Sequence, residues 1–166
     1  RHPEAEISYI GTAEKLEATL VPQKGYNFYT IKVAGFRRSL SPKAIIHNIS
    51  AVKLAATSII NAKKILKKVK PDVVVGTGGY VSGPVVRAAA KMGIKTLIHE
   101  QNAFPGVTTK LLARDVDVIL VAFKEAIPRI STSAKVSVVG NPVRQDFLFA
   151  EKEDGNSIGL FGWFRI

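Results

Sequence analysis

The sequence predicts an α/β domain on a doubly wound parallel sheet, and three observations carry that expectation. Short, fully apolar β-rich runs such as "DVVV", "TLI" and "VILV" alternate with helical segments of about 10 residues, the pattern of parallel strands buried on both faces. A glycine-rich stretch, "GTGGYVSGP", follows one of those runs at the strand end where such sheets gather ligands. The chain has 166 residues, 46% hydrophobic and 22% charged, which suits one globular domain with a real core and argues against disorder.

The elements follow in order. "EISYIG" (6–11) reads as a strand, "TAEKLEATLVPQKG" as a helix stopped by Pro22, Lys24 and Gly25, and "YNFYTIKV" (26–33) as a second strand. The longest helical segment runs from Pro42 to Lys70, with Ser41 as N-cap and Pro42 in the first helical position. "PDVVVG" is a strand, "GPVVRAAAKMG" a helix closed by Gly93, "IKTLIHE" a strand, "GVTTKLLAR" a helix, and "VDVILVA" and "AKVSVVG" two more strands. There is no internal repeat and no low-complexity linker.

Composition narrows the function classes. No apolar run approaches the roughly 20 residues that span a bilayer, and residues 1–20 lack the order of a secretory signal, so a soluble or peripheral protein is expected. Without cysteine there is neither a disulfide framework nor a thiolate metal site, which fits a reducing cytoplasm. The net charge of +11 points to an anionic partner: phosphate, nucleic acid or an acidic membrane surface.

Three strand ends carry unusual chemistry. In the first, Gly76, Gly78 and Gly79 permit tight turning and close approach, while Ser82, Gly83 and Pro84 resemble a helix start. Free amides at a helix N-terminus suit an anion, most often a phosphate; the plain alternative is a tight turn that holds no ligand. Tyr80 and Ser82 favour the ligand. In the second, "LIHEQNAFPG", His99, Glu100, Gln101 and Asn102 offer acid, base and amide groups for proton transfer or sugar binding. Alternatively, Glu100 or Asn102 caps the next helix and His99 satisfies backbone groups. In the third, "VVGNPVR", Arg144 follows a turn and could grip a phosphate bidentately, or be a solvated charge.

Taken together, "DVVVGTGGYVSGP", "HEQNAFPGVTTK" and "VVGNPVR", with "RHPEAEISYIGT" and "GFRR", resemble the amino-terminal domain of the MurG family over about residues 1–148. That family adds N-acetylglucosamine to undecaprenyl-pyrophosphoryl-muramyl-pentapeptide (lipid I), giving lipid II in bacterial cell-wall synthesis. The resemblance implies a Rossmann-like amino-terminal domain of GT-B type and an inverting hexosyltransferase. It implies that Gly76, Thr77, Gly78, Gly79, Tyr80, Ser82 and Gly83 face the acceptor diphosphate, and that Asn102 and Arg144 contact UDP-N-acetylglucosamine. His99 and Glu100 are the catalytic candidates within this chain, in an ordering or proton-handling role. No cofactor or metal is implied.

Departures from the family pattern set further expectations. Family members begin with a strand and a GGTGGH loop whose histidine leads as general base; this chain starts at Arg1, after that segment. The expected fold therefore lacks its first strand, the central one in a 3-2-1-4-5 order, leaving "EISYIG" and "PDVVVG" with unpaired inner edges. Residues 1–148 would form the acceptor-side domain, residues 149–166 an atypical tail, and the donor domain would be absent. Such a fragment is expected to be marginally stable, or to close the gap by edge pairing or association, and to be inactive alone.

The long basic helix gives one more expectation. Ile45, Ile49, Val52, Ala56, Ile59 and Ile60 form an ordinary core stripe, and Lys63 in its middle implies a kink or restart near Asn61. Beyond it, Ala62, Ile65, Leu66 and Val69 oppose Lys63, Lys64, Lys67 and Lys70, which read as a solvated face. Phe36, Arg37, Arg38, Lys43, Ile46, Ile49 and Lys53 combine apolar and basic side chains suited to an anionic membrane. With the resemblance, this implies peripheral docking on the cytoplasmic side of the cell membrane. Two alternatives stand beside it. A nucleotide-dependent oxidoreductase should show GxGxxG after its first strand, and a nucleic-acid binder should interleave cations with stacking aromatics; neither pattern is present.

Overall fold

The computed structural model describes residues 4–33 and 57–143. The first part of the expected long helix, the candidate membrane patch from Phe36 to Lys53, Arg144 and the tail 149–166 lie outside the described residues. Strand β1 (Ser8–Gly11) leads through helix α1 (Glu17–Gln23) into β2 (Asn27–Thr30). A helix described over 57–69, α2, precedes β3 (Val73–Gly76), α3 (Gly79–Lys91), β4 (Lys95–Glu100) and α4 (Val107–Leu112). Strand β5 (Val118–Val121), a 3₁₀ turn (Lys124–Arg129) and β6 (Lys135–Val138) complete the order.

All strand pairs are parallel, as the apolar runs predict, and they fall into two sheets. Strand β1 pairs with β2, and β3-β4-β5-β6 form the second sheet. Among the described residues, neither β1 nor β3 has a strand on its other side. The orphaned edges do not pair with each other.

Packing across the helices joins the two sheets. Ser58 on α2 donates its hydroxyl hydrogen to the Lys32 carbonyl at 2.5 Å, and Ile31 just after β2 shares one buried core with Ala62 and Leu66 of α2. That core continues into Val85, Val86, Ala88 and Ala89 of α3 and into Val74, Ile98, Ile119 and Val121 of the sheet. Register places Ile98 beside Ile119, so these side chains share the face that the helices cover. The opposite face is less enclosed: Val73 and Val75 are 52% and 55% exposed, and Leu97, Val118 and Leu120 are half-buried. Burial on both faces thus holds fully on only one face among the described residues.

Helix α2 also differs in detail from the pattern read in the sequence. It runs unbroken through Asn61, with Ala62 and Leu66 inward and Lys64, Lys67, Lys68 and Lys70 outward, while Ile60 is 55% exposed. No kink is needed, because the half-buried Lys63 can lay its aliphatic stem along apolar neighbours and keep its ammonium in water. In α1, Pro22 sits inside the last turn instead of stopping it, and Gly25 at φ 80° turns the chain toward β2.

A strand with one free edge opens more readily than one paired on both sides. Amide hydrogen exchange in β3 should therefore be at least about tenfold faster than in β4 and β5. Uniform protection across the three strands would show that the outer edge of β3 is covered.

Candidate functional site

Alternation along β4 sends Glu100 toward the helix-covered face and His99 toward the other. Glu100 is only 3% exposed, so its carboxylate needs donors, and it has four. Oε1 accepts from the Asn102 amide at 3.0 Å and from Asn102 Nδ2 at 2.9 Å; Oε2 accepts from the Gly106 amide at 2.9 Å and from Thr109 Oγ1 at 2.5 Å. Burial raises the Glu100 carboxyl. The hydrogen bonds from Thr109, Gly106 and Asn102 outweigh that and hold it below its ordinary value. The carboxylate closes the loop 101–106 and anchors the first turn of α4, which matches the capping alternative read from the sequence.

Both nitrogens of the His99 ring are engaged, and the residue is 8% exposed. Nε2 lies 2.9 Å from the Gly140 carbonyl, and Nδ1 lies 3.1 Å from Gln101 Nε2. Gln101 Nε2 also donates to the Thr77 carbonyl at 2.9 Å, and Asn141 Nδ2 donates to the Gln101 carbonyl at 3.3 Å. The loops after β3, β4 and β6 are thereby stitched together. Gln101 and Asn141 were legible only as members of polar runs, and nothing in "GVTTK" distinguished Thr109 as a carboxylate partner.

The glycine loop is built by close approach and by one backbone conformation. A Cβ on Gly76 would lie 2.7 Å from Val86 Cγ2 and 3.2 Å from Ile98 Cγ2, so only glycine lets β3 pack this tightly on α3 and β4. Gly78, at φ 93° and ψ −167°, caps α3. The helix starts at Gly79, earlier than the Gly83-Pro84 signal suggests. Proline at position 84 has a helical φ, and its missing N–H leaves only the carbonyl of exposed Tyr80 without its helical partner, near a helix end open to water.

The amides of residues 78–81 therefore form the N-terminus of a 13-residue helix, and no described carbonyl or side chain accepts from them. Ser82 donates its hydroxyl hydrogen back to the Gly78 carbonyl at 2.5 Å, while Tyr80 and Thr77 are exposed. Gly83 is half-buried, its Cα side facing Thr108. The fold thus brings Gly76–Gly83 and His99–Asn102 together. Asn102 is exposed, and its Oδ1 has no partner among the described residues.

A second well-bonded carboxylate, Asp117, lies at the opposite end of the sheet. It accepts from the Thr96 amide at 2.8 Å, Lys95 Nζ at 3.1 Å and Thr96 Oγ1 at 2.9 Å, which hold its carboxyl down to about 2. It locks the starts of β4 and β5. Among the described residues no cluster of three or more His, Asp or Glu side chains could hold a metal ion.

Comparison with known proteins adds a family to this geometry. Residues 1–121 match the glycosyltransferase family 28 N-terminal domain. The chain is 49% identical over 148 residues to the UDP-N-acetylglucosamine--N-acetylmuramyl-(pentapeptide) pyrophosphoryl-undecaprenol N-acetylglucosamine transferase of Ruminiclostridium cellulolyticum, covering 89% of this chain and 40% of that protein. A protein of the same name from Thermoanaerobacter sp. is 47% identical over 158 residues, covering 95% of this chain and 42% of its own length. The crystal structure of Acinetobacter baumannii MurG superposes with a TM-score of 0.60 at 32% identity, covering 84% of this chain and 38% of that one. The chain spans about two fifths of the length of these curated relatives. These matches favour the transferase expectation over the oxidoreductase and nucleic-acid alternatives.

Because the folded-state value of Glu100 lies below its ordinary value of 4.5, the folded state binds fewer protons than the unfolded chain through that range. Its contribution is present above that value and is lost as pH falls. Glu100→Gln should lower stability by about 1–3 kcal/mol at neutral pH and flatten the acid limb of the stability profile below about pH 5, read by thermal melts. Gly76→Ala should cost about 1–3 kcal/mol from overpacking against Val86 and Ile98, measured by denaturant unfolding.

Proposed function

The chain belongs to the glycosyltransferase family 28 N-terminal domains, and from that premise we propose that it is the acceptor-side part of an inverting N-acetylglucosaminyltransferase. The donor would be UDP-N-acetylglucosamine and the acceptor a muramyl-pentapeptide pyrophosphoryl-undecaprenol, lipid I, whose C4 hydroxyl attacks the anomeric carbon as UDP leaves. The product would be lipid II. One observation carries the reading: four backbone amides, at residues 78–81, have no acceptor among the described residues and stand at the positive end of a long helix, beside the polar terminus of β4. A pyrophosphate supplies the matching acceptor oxygens, and fixed amides meet it without reorganisation.

Individual roles follow from what each side chain has left to offer. Asn102 is exposed, with no partner for its Oδ1 among the described residues, and is assigned, with Arg144 outside the described residues, to the donor. His99 and Glu100 have their polar atoms occupied, which supports an ordering role for both and not proton transfer. Thr77, Gly78, Gly79 and Tyr80 line the acceptor side, with Ser82 and Gly83 shaping the turn behind them.

The acceptor would be carried by a membrane, and a net charge of +11 supports docking on its anionic cytoplasmic face. No helix among the described residues is long and apolar enough to cross a bilayer. The patch assigned to docking, Phe36, Arg37, Arg38, Lys43, Ile46, Ile49 and Lys53, lies outside the described residues, so its support is compositional.

Titration of the ¹⁵N-labelled chain with inorganic pyrophosphate should shift the amides of residues 78–81 first. Gly78→Val, which forces a β-branched residue into a backbone conformation at φ 93°, should weaken that binding by about tenfold or more. Shifts confined to the lysine face of α2 would mean that net charge alone gathers anions, and the acceptor reading would fall.

A further inference from the structure

We infer that Gln101 is the positioning residue of this site: its side-chain amide fixes the His99 tautomer and aims the first amide of the glycine loop. The inference deepens the acceptor reading and rests on it for the identity of the anion. The geometry itself does not depend on that reading.

The Thr77 and Gly140 carbonyls can only accept. Gln101 Nε2 lies 2.9 Å from the Thr77 carbonyl and 3.1 Å from His99 Nδ1, and His99 Nε2 lies 2.9 Å from the Gly140 carbonyl. Thr77 oxygen requires the Gln101 nitrogen, not its oxygen, at the near position. The second hydrogen of that same nitrogen then meets Nδ1, which must accept. At the far end, the Gly140 oxygen requires a hydrogen on Nε2. Both ends demand the same arrangement, with His99 neutral and protonated on Nε2 alone. A flipped amide would set Oε1 against the Thr77 oxygen. The other tautomer would set two donors against each other at Nδ1 and two acceptors against each other at Nε2.

This chain of bonds reaches the anion site through one peptide plane. The Thr77 carbonyl and the Gly78 amide belong to the same trans peptide, in which C=O and N–H point in opposite directions. Holding the carbonyl toward Gln101 therefore points the Gly78 N–H away, toward the open end of α3, where it has no acceptor of its own among the described residues. Glycine at 78 would otherwise let that peptide rotate freely. Neither neighbour substitutes for Gln101: asparagine is one methylene shorter, and glutamate at neutral pH offers only acceptors.

The test uses the whole chain at about pH 8, where an ordinary imidazole is neutral. Imidazole ¹⁵N shifts should show His99 in the Nε2–H form. Gln101→Glu places an acceptor at each ring nitrogen and should drive the ring toward the doubly protonated form, and Gln101→Met, similar in size but without the amide, should leave the Gly140 carbonyl as the remaining restraint and weaken the Nε2–H preference. In both variants the Gly78 amide resonance should shift and broaden as its peptide plane loosens, and inorganic pyrophosphate should bind about tenfold more weakly, the scale of one lost hydrogen bond. Retained exchange protection in β4 and β5 confirms that the variants fold. An Nδ1–H wild type overturns the inference, as do variants that leave both the tautomer and the Gly78 amide unchanged. If neither variant folds, the wild-type spectrum alone decides. Should the wild type bind no pyrophosphate, the acceptor reading fails, while the tautomer and Gly78 resonance readouts still judge Gln101.

Discussion

A buried carboxylate organises this end of the molecule. Removing Glu100 from water without partners would cost several kcal/mol, so the chain around it is obliged to supply donors. The amides of Asn102 and Gly106, the Asn102 side chain and the Thr109 hydroxyl answer that demand, and they span the whole loop from β4 into α4. With both ends of the loop fixed to one side chain, Gln101 has little choice of direction. It projects toward the glycine loop, where Thr77 and His99 receive it.

The sheet supplies the other constraint. Parallel pairing of β3 with β4 through Gly76 and Ile98 brings their carboxyl ends side by side, and Gly76 lets Val86 of α3 press directly onto the strand. The first amides of α3 therefore open next to the ends of β3 and β4. Helix dipole, amides with no acceptor among the described residues and stitched loops converge there, while the strongly bonded Asp117 secures the opposite end of β4 and the start of β5. Rigidity at both ends of β4 suits a surface that must present fixed donors to an anion. Among the described residues β3 is an edge strand, so the best-supported part of the site rests on β4 and β5, which are paired on both sides.

Much of the fold was legible because its signals are local. Val- and Ile-rich runs bounded by glycine gave all six strands to within one or two residues at most ends, and Gly93 marked the close of α3 as a left-handed glycine should. Signals that depend on context misled. Gly83-Pro84 looks like a helix start, but α3 begins at Gly79, because a proline near an exposed helix end loses only one bond. Lys63 looked like a break, but its long stem tolerates half-burial.

By itself the sequence determined the alternation of strands and helices, the parallel sheet, the positive charge and the glycine-rich strand end, since each depends on residue type and near-neighbour spacing. It also placed acid, base and amide groups together at residues 99–102. Only the tertiary structure decided what those groups touch. Glu100 lies buried among four donors, and carbonyls from residues 77 and 140, far apart in the chain, meet Gln101 and His99. The physical reason is that a polar side chain's chemistry is set by its burial and by partners that reach it across strands, and no local pattern encodes either.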